Sequence, residues 1–330
     1  QRLNKIRKKF RKEQNEEYKQ SMISINKHFH KREYDEVDKI LDKLASSLEK
    51  RGPIEISDVN EFINLLQKGK SEANYKLTKD IDLSVEPDSS AVSLPLFPIS
   101  GFSGTFNGNG FEIKNFTIDS PESDNVGLFA ELNDSGVIKN LGIAGNGSIS
   151  GNDNVGGLVG HNNGTIENCY NAMIGIADDE GNLISISSTG DYVGGLVGYN
   201  YGGEIRNCYN AMIGSISGDD YAGVGGLVGA NVGGNITNCY NAMTGHISSN
   251  RNWNVGGLVG WNNGTVINCY NAMIGNISGN GSYTGGLVGY NWSEITNCYN
   301  AMIGDINGDN LVGFNWSEIT NCYDATDGWD

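Results

Sequence analysis

The chain has 330 residues, 47 of them glycine and only 5 proline, with no Gly-X-Y period; this excludes collagen and favours a glycine-punctuated β architecture. Residues 1–52 hold 15 of the 23 Lys and Arg and 9 of the 39 Asp and Glu, a net of +6, against −22 for the remainder. A body that acidic repels nucleic-acid phosphates and anionic lipid, and no run of 18 apolar residues is present to span a membrane.

The chain opens on Gln1 rather than methionine, which suits a processed product or an excised segment. Its first apolar stripe, Leu3, Ile6, Phe10, Tyr18, Met22, Ile25 and Phe29, has helical spacing. A second, Tyr34, Val37, Leu41, Leu44 and Leu48, alternates steps of three and four like a helix-packing seam. Gly52-Pro53 ends it. Residues 1–52 are therefore expected to form a basic α-helical segment, one long helix or a hairpin. The basic run Lys5 to Lys12 suits a nucleic-acid or membrane-surface patch or a partner for the acidic solenoid, though a solvated helix face is the commoner use of such a run.

Residues 53–125 are expected to hold a cap helix and the first coils of a solenoid. Ser57 begins a short amphipathic helix with Val59, Phe62, Ile63 and Leu66 on one face and Gly69 beyond its end. A helix there would cover the first, otherwise open, sheet edge. Tyr75, Leu77, Ile81 and Leu83 alternate like a strand.

Residues 126–330 are organised by two repeated phrases. One is Asn-Cys-Tyr-Asn-Ala-Met-(Ile/Thr)-Gly, beginning at Asn168, Asn207, Asn238, Asn268 and Asn297, with a decayed copy at Asn321. The other, Gly-Gly-Leu-Val-Gly, begins at Gly156, Gly194, Gly225, Gly256 and Gly285. The shortest repeat allows three short strands and three turns, which is one coil of a parallel β-solenoid. About nine coils at roughly 4.8 Å each would make a rod on the order of 40 Å long.

Aligning Asn115-Phe116, Asn140-Leu141 and Asn168-Cys169 places cysteine in a core slot. The column Asn168, Asn207, Asn238, Asn268, Asn297 and Asn321 is expected to turn a corner in every coil, because asparagine tolerates the left-handed conformation and its amide both donates and accepts. A second amide column runs Asn162, Asn200, Asn231, Asn262, Asn291 and Asn315. The column Cys169, Cys208, Cys239, Cys269, Cys298 and Cys322 is expected to be buried, free and reduced, since parallel Cβ vectors place sulfurs poorly for a bond. The next residue faces out, giving a stripe of Tyr170, Tyr209, Tyr240, Tyr270, Tyr299 and Tyr323. A second outward stripe runs His161, Tyr199, Ala230, Trp261, Tyr290 and Phe314, with Trp292 and Trp316 nearby.

All length variation falls in 176–193, 215–224, 246–255 and 276–284, so these are expected to emerge along one edge as binding loops. The candidate binding residues are Asp178, Asp179, Tyr192, Asp219, Tyr221, Trp253 and Tyr283 on that edge, with Trp261 and Trp292 beside it. An acidic, aromatic edge suits glycans or weak calcium; no other metal or cofactor is expected. His-Glu-x-x-His, Gly-x-Ser-x-Gly and phosphate-cradling loops are missing, so no enzyme is expected.

Gly156 to Asn162 and Gly164 to Tyr170 resemble the GLUG repeat of bacterial surface proteins, which include haemagglutinin-like adhesins and the non-catalytic parts of IgA-cleaving metallopeptidases. Tyr75 to Leu83 and Phe102 to Phe111 are similar to the segment that precedes such repeats. The resemblance covers residues 55–330 and implies a right-handed parallel β-helix, extracellular or on a bacterial cell surface. Such chains run on past Asp-Gly-Trp to a closing segment, so stopping at Asp330 implies either a longer native protein or a subunit capping the last coil. The expected function is an extracellular adhesin or stalk binding glycan or protein. One alternative is a fibre subunit, a homo-oligomer assembled end to end through the N-terminal helices and the open C-terminal coil. A polysaccharide-degrading β-helix is the other.

Overall fold

The computed structural model describes residues 24, 35–41, 43, 52–68, 71–84, 99, 101–178, 181–219, 223–250, 254–280, 283–309 and 311–325. The chain divides into two compact units, residues 1–54 and 55–330. In the first, residues 35–41 are helical, and Val37 and Leu41 of the expected seam are buried. The other residues of both N-terminal stripes, the basic run and Gly69 lie outside the described residues.

The second unit is a parallel β-solenoid. The fourth coil shows the plan. Val155–Gly156 lies on sheet D, Val159–Asn162 and Thr165–Glu167 on sheet A, Tyr170–Ile174 on sheet B and Leu183–Ser188 on sheet C. Where three strands per coil were expected, the coil thus makes five short segments on four sheets. Gly157-Leu158, Asn163-Gly164 and Asn168 each break the chain direction, and every break starts a new segment. Among the described residues, sheets A, B, C and D hold 15, 9, 7 and 5 strands. The nine rungs of sheet B match the expected coil number, but coils at both ends are partial and about seven are complete.

Register is strict from coil to coil, as in Val159↔Val197, Val197↔Val228 and Val228↔Val259. Strict register stacks like on like, so the interior is a set of columns: the Leu-Val pair of each Gly-Gly-Leu-Val-Gly, the Ile or Val of sheet A, the cysteine and methionine of sheet B and the isoleucine of sheet C, nearly all fully buried.

The cap helix spans Val59–Lys68. Asp58 is its N-cap, its Oδ1 accepting from the Glu61 amide at 2.9 Å, while the Glu61 carboxylate accepts from the Ser57 amide at 2.6 Å. Its buried residues are Phe62 and Leu65, with Val59 and Leu66 partly buried against the core. Leu65 therefore takes the place expected of Ile63, which is half-buried. Phe62 and Leu65 join Tyr75, Leu77 and Ile81 in the core of the first coil.

Candidate binding faces

Both expected amide columns are present. Asn115, Asn140, Asn168, Asn207, Asn238, Asn268, Asn297 and Asn321 all adopt φ between 51° and 59°. Their amides chain along the axis, for example Asn268 Nδ2 donating to Asn238 Oδ1 at 3.2 Å and Asn297 Nδ2 to Asn268 Oδ1 at 3.1 Å. The inner column runs the other way: Asn200 Nδ2 donates to Asn231 Oδ1 at 2.8 Å and Asn262 Nδ2 to Asn291 Oδ1 at 2.7 Å. A third column, missed from sequence, is the second asparagine of the phrase: Asn171, Asn210, Asn241, Asn271 and Asn300, all fully buried. Its alternation with outward Tyr170 and Ala172 along one strand was the available signal.

The cysteines are free, buried from Cys169 to Cys298 and half-buried at Cys322. From Cys169 to Cys298 the backbone amide donates to the sulfur one coil on, as Cys208 N to Cys239 Sγ at 3.4 Å. Burial pushes the Cys208 and Cys239 thiols well above their ordinary range, and the hydrogen bond with Cys269 is the largest cause that lifts Cys298 to about 12. These are packing groups with suppressed thiolate character.

The tyrosine stripe faces out, and its rings stack on one another. Centroids from Tyr170 through Tyr209, Tyr240 and Tyr270 to Tyr299 are 4.8–5.0 Å apart with planes within 6°. From Tyr170 to Tyr270 the ring faces are spent on neighbours, while Tyr299 and Tyr323 at the C-terminal end are exposed. Tyr170 closes the stack by donating to Glu112 Oε1 at 2.5 Å, its ring filling the space a side chain at position 142 would need.

Of the candidate edge residues, Asp179, Tyr221 and Trp253 lie outside the described residues. The variable segments are only partly loops, contrary to expectation. Each contains a strand of sheet C whose isoleucine, Ile186, Ile216, Ile247 or Ile277, is fully buried. The longest also forms a hairpin, Ile176–Ala177 pairing antiparallel with Leu183–Ile184. Asp178 caps that hairpin, accepting from the Asn182 amide at 2.8 Å, and Asp219 accepts from Asn250 Nδ2 at 2.6 Å. Both carboxylates have local structural partners. Among the described residues no group of three or more His, Cys, Asp and Glu converges as a metal site.

Tyr192, Tyr283, Trp261 and Trp292 do come together with the second stripe, on the outer side of sheet A. One column there is His161, Tyr199, Ala230, Trp261, Tyr290 and Phe314 in register. Beside it run Tyr201, Val232, Asn263, Trp292 and Trp316. Tyr192 reaches from Tyr199 at 5.1 Å to Trp261 at 6.0 Å, passing over the small Ala230 rung. It does so from a left-handed backbone with φ 48°, where Asn125 and Asn154 hold the same place in earlier coils. Tyr283 packs on Tyr290 and Phe314, and Trp316 Nε1 donates to the Tyr290 hydroxyl at 3.1 Å. Burial holds the His161 imidazole below its ordinary value. Tyr201, Trp292 and Trp316 are 56%, 50% and 63% exposed, which gives this face three open aromatic rings.

The GLUG motif matches residues 151–173, 189–217, 220–244, 251–278 and 280–307, the coils that carry these columns. The chain carries five copies of the GLUG motif. Over 102 residues, 29% of its length, the GLUG-repeat chain is 39% identical to halomucin of Haloquadratum walsbyi, of which the shared stretch is 1%. Over 101 residues, again 29% of its length, it is 33% identical to a protein of Evansella cellulosilytica described as a Gly-rich membrane protein, 12% of which is covered. It thus matches only a small part of either relative. Among solved structures it resembles a Bacteroides ovatus protein assigned as an immunoglobulin A1 protease, with TM-score 0.56, 22% identity and coverage of 82% of this chain and 84% of that one. A structure described as IgA1 protease matches at TM-score 0.56 and 18% identity, covering 82% and 21%. These two likenesses show the fold.

Proposed function

We propose that this GLUG-repeat chain is an adhesin-like module of an extracellular or surface protein, binding glycan on the outer aromatic face of sheet A. The observation that carries the reading is a notch in that face. Tyr201 and Trp292 stand three rungs apart in one column, and the two rungs between them carry Val232 and Asn263. At about 4.8 Å per rung the two rings are roughly 14 Å apart, room for a pyranose unit against an aromatic face that no ring of that column covers. The exposed Asn263 amide sits in the same notch as a donor and acceptor for sugar hydroxyls. From Tyr170 to Tyr270 the tyrosine ladder of sheet B lacks such a face, because its rings cover each other. Surface location is supported by the relative described as a membrane protein.

A glycan array tests this with the intact chain, Trp292→Ala, and a chain lacking residues 179–181. That deletion spares Ile186, which is core. Loss of signal in Trp292→Ala with retention in the shortened chain is expected. Equal signals from the intact chain and Trp292→Ala, or none from either, would dispose of the proposal.

A further inference from the structure

We propose that the outer face of sheet B is a second site, a groove that takes rod-shaped, planar aromatic cations laid along the solenoid axis. Strand alternation turns Tyr, Ala and Ile of each Tyr-Asn-Ala-Met-Ile outward, while the asparagine and methionine between them are buried. Register then converts these residues into columns: Tyr209↔Tyr240, the Ala amides bonding coil to coil, and Ile174↔Ile213↔Thr244↔Ile274↔Ile303. Two ridges result, one of stacked tyrosines and one of isoleucines, with a floor of single methyl groups between them. The isoleucines are large apolar side chains left in solvent, from 38% exposed at Ile174 to 67% at Ile303, and such an aligned apolar stripe on a soluble surface marks a binding surface.

The dimensions select the occupant. The ridges are four residues apart on a strand, about 13 Å between Cα columns, which leaves space for one flat ring system on the alanine floor. The walls repeat at every rung but that of Thr244, so a long ligand meets nearly the same contacts all along and needs no fixed register. At its N-terminal end the groove stops where Lys114 takes the place of the alanine and Glu112 that of the tyrosine, with Asp80 bonded to Lys114. From position 170 to 303 the three columns carry no charge, while the whole chain carries −16, so a cation is drawn in and an anion is not. A second copy of the chain fits poorly. Five rungs by 13 Å give a footprint of roughly 300 Å², well short of the ~800 Å² per partner of a stable interface, and two such acidic chains repel.

Thioflavin T is the probe, titrated into the full chain by fluorescence. Saturable binding is expected. Ala242→Leu with Ala272→Leu fills the floor from the solvent side and is expected to weaken it at least about tenfold, as a filled site loses the apolar contact of the bound rings. Thr244→Ile completes the isoleucine ridge and is expected to tighten it about fivefold, and this arm does not depend on the leucine pair folding. Trp292→Ala, on the other face, is expected to change nothing, which separates this site from the proposed glycan face. No dye binding by the intact chain, an affinity unmoved by both the leucine pair and Thr244→Ile, or loss of binding in Trp292→Ala would overturn the proposal. So would sedimentation showing a dimer that excludes the dye and that the leucine pair dissociates.

Discussion

Asn241 Nδ2 donates to the Gly257 carbonyl at 2.8 Å and to Asn271 Oδ1 at 3.1 Å, so the asparagine of one repeated phrase satisfies the glycine of the other in the next coil. The same bond joins Asn171 to Gly195, Asn210 to Gly226 and Asn271 to Gly286 at 2.7–2.8 Å. Glycine is required opposite: a Cβ on Gly226 would stand 2.2 Å from the Gly257 oxygen and 2.3 Å from Asn241 Nδ2. The two phrases occur together because each fills a need of the other.

Asn241→Leu should therefore destabilise well beyond its size. It orphans the buried Gly257 carbonyl and removes the acceptor for the Met243 amide, each worth about 1–3 kcal/mol. A loss of about 3 kcal/mol in urea unfolding is expected, against under about 1 kcal/mol for Asn263→Ala on the surface.

Tyr192 offers a test in which backbone and ring oppose one another. Its left-handed φ costs an aromatic residue about 1–2 kcal/mol, while its contacts with Tyr199 and Trp261 return about 0.5–1.5 kcal/mol each. Tyr192→Asn relieves the first while losing the second; Tyr192→Ala loses the second and keeps the strain. Asn is expected to be about 1 kcal/mol more stable than Ala in thermal unfolding. Equal stabilities would show that the backbone is unstrained.

The cysteines should be silent in the native chain. With dithionitrobenzoate, the half-buried Cys322 is expected to react first and Cys208, Cys239 and Cys269 only after unfolding, when all six thiols appear. Reductant should leave the melting temperature unchanged, because parallel, in-register cysteines form no bond in this fold.

Stability should fall at both ends of the pH scale. Hydrogen bonds from Lys114 to Asp80 and from Asn115 to Asp82 hold both carboxyls below 3.8, so their contribution is present above that value and lost as pH falls through the lowered native values. Burial raises the phenols of Tyr209, Tyr240 and Tyr270 and pushes Tyr192 up to about 12. That contribution is complete below the ordinary value of 10 and is lost as pH rises through the raised native values, for Tyr192 between 10 and about 12. Absorbance at 295 nm, followed beside the urea midpoint, should show phenolate forming late and together with unfolding. Complete ionisation near pH 10 with the fold intact would contradict the stacked, partly buried rings.

Much of the solenoid was legible because strict register makes sequence repeats into spatial columns. The left-handed asparagine corner, the inward cysteine and the outward tyrosine each followed from alignment with the Asn-Phe and Asn-Leu copies, and residue alternation did the rest. The candidate edge was less legible. Ile186 and Ile216 belong to a core strand, but their segments vary in length, and variation looks like loop. Asp178 and Asp219 were legible as acidic residues and not as hairpin and coil-to-coil hydrogen-bond partners.

The sequence by itself determined the coil. Period, inward and outward alternation and corner residues are local properties, and a parallel solenoid only stacks what is local. Tertiary structure alone decided what the outward columns can do, because that depends on the third dimension between coils. Stacking consumed the ring faces from Tyr170 to Tyr270, Tyr192 bridged the Ala230 rung to Trp261, and Val232 and Asn263 left a notch before Trp292. Which ring faces stay open is a matter of neighbours one rung away, about 30 residues distant in the chain for most coils, and no local pattern records it.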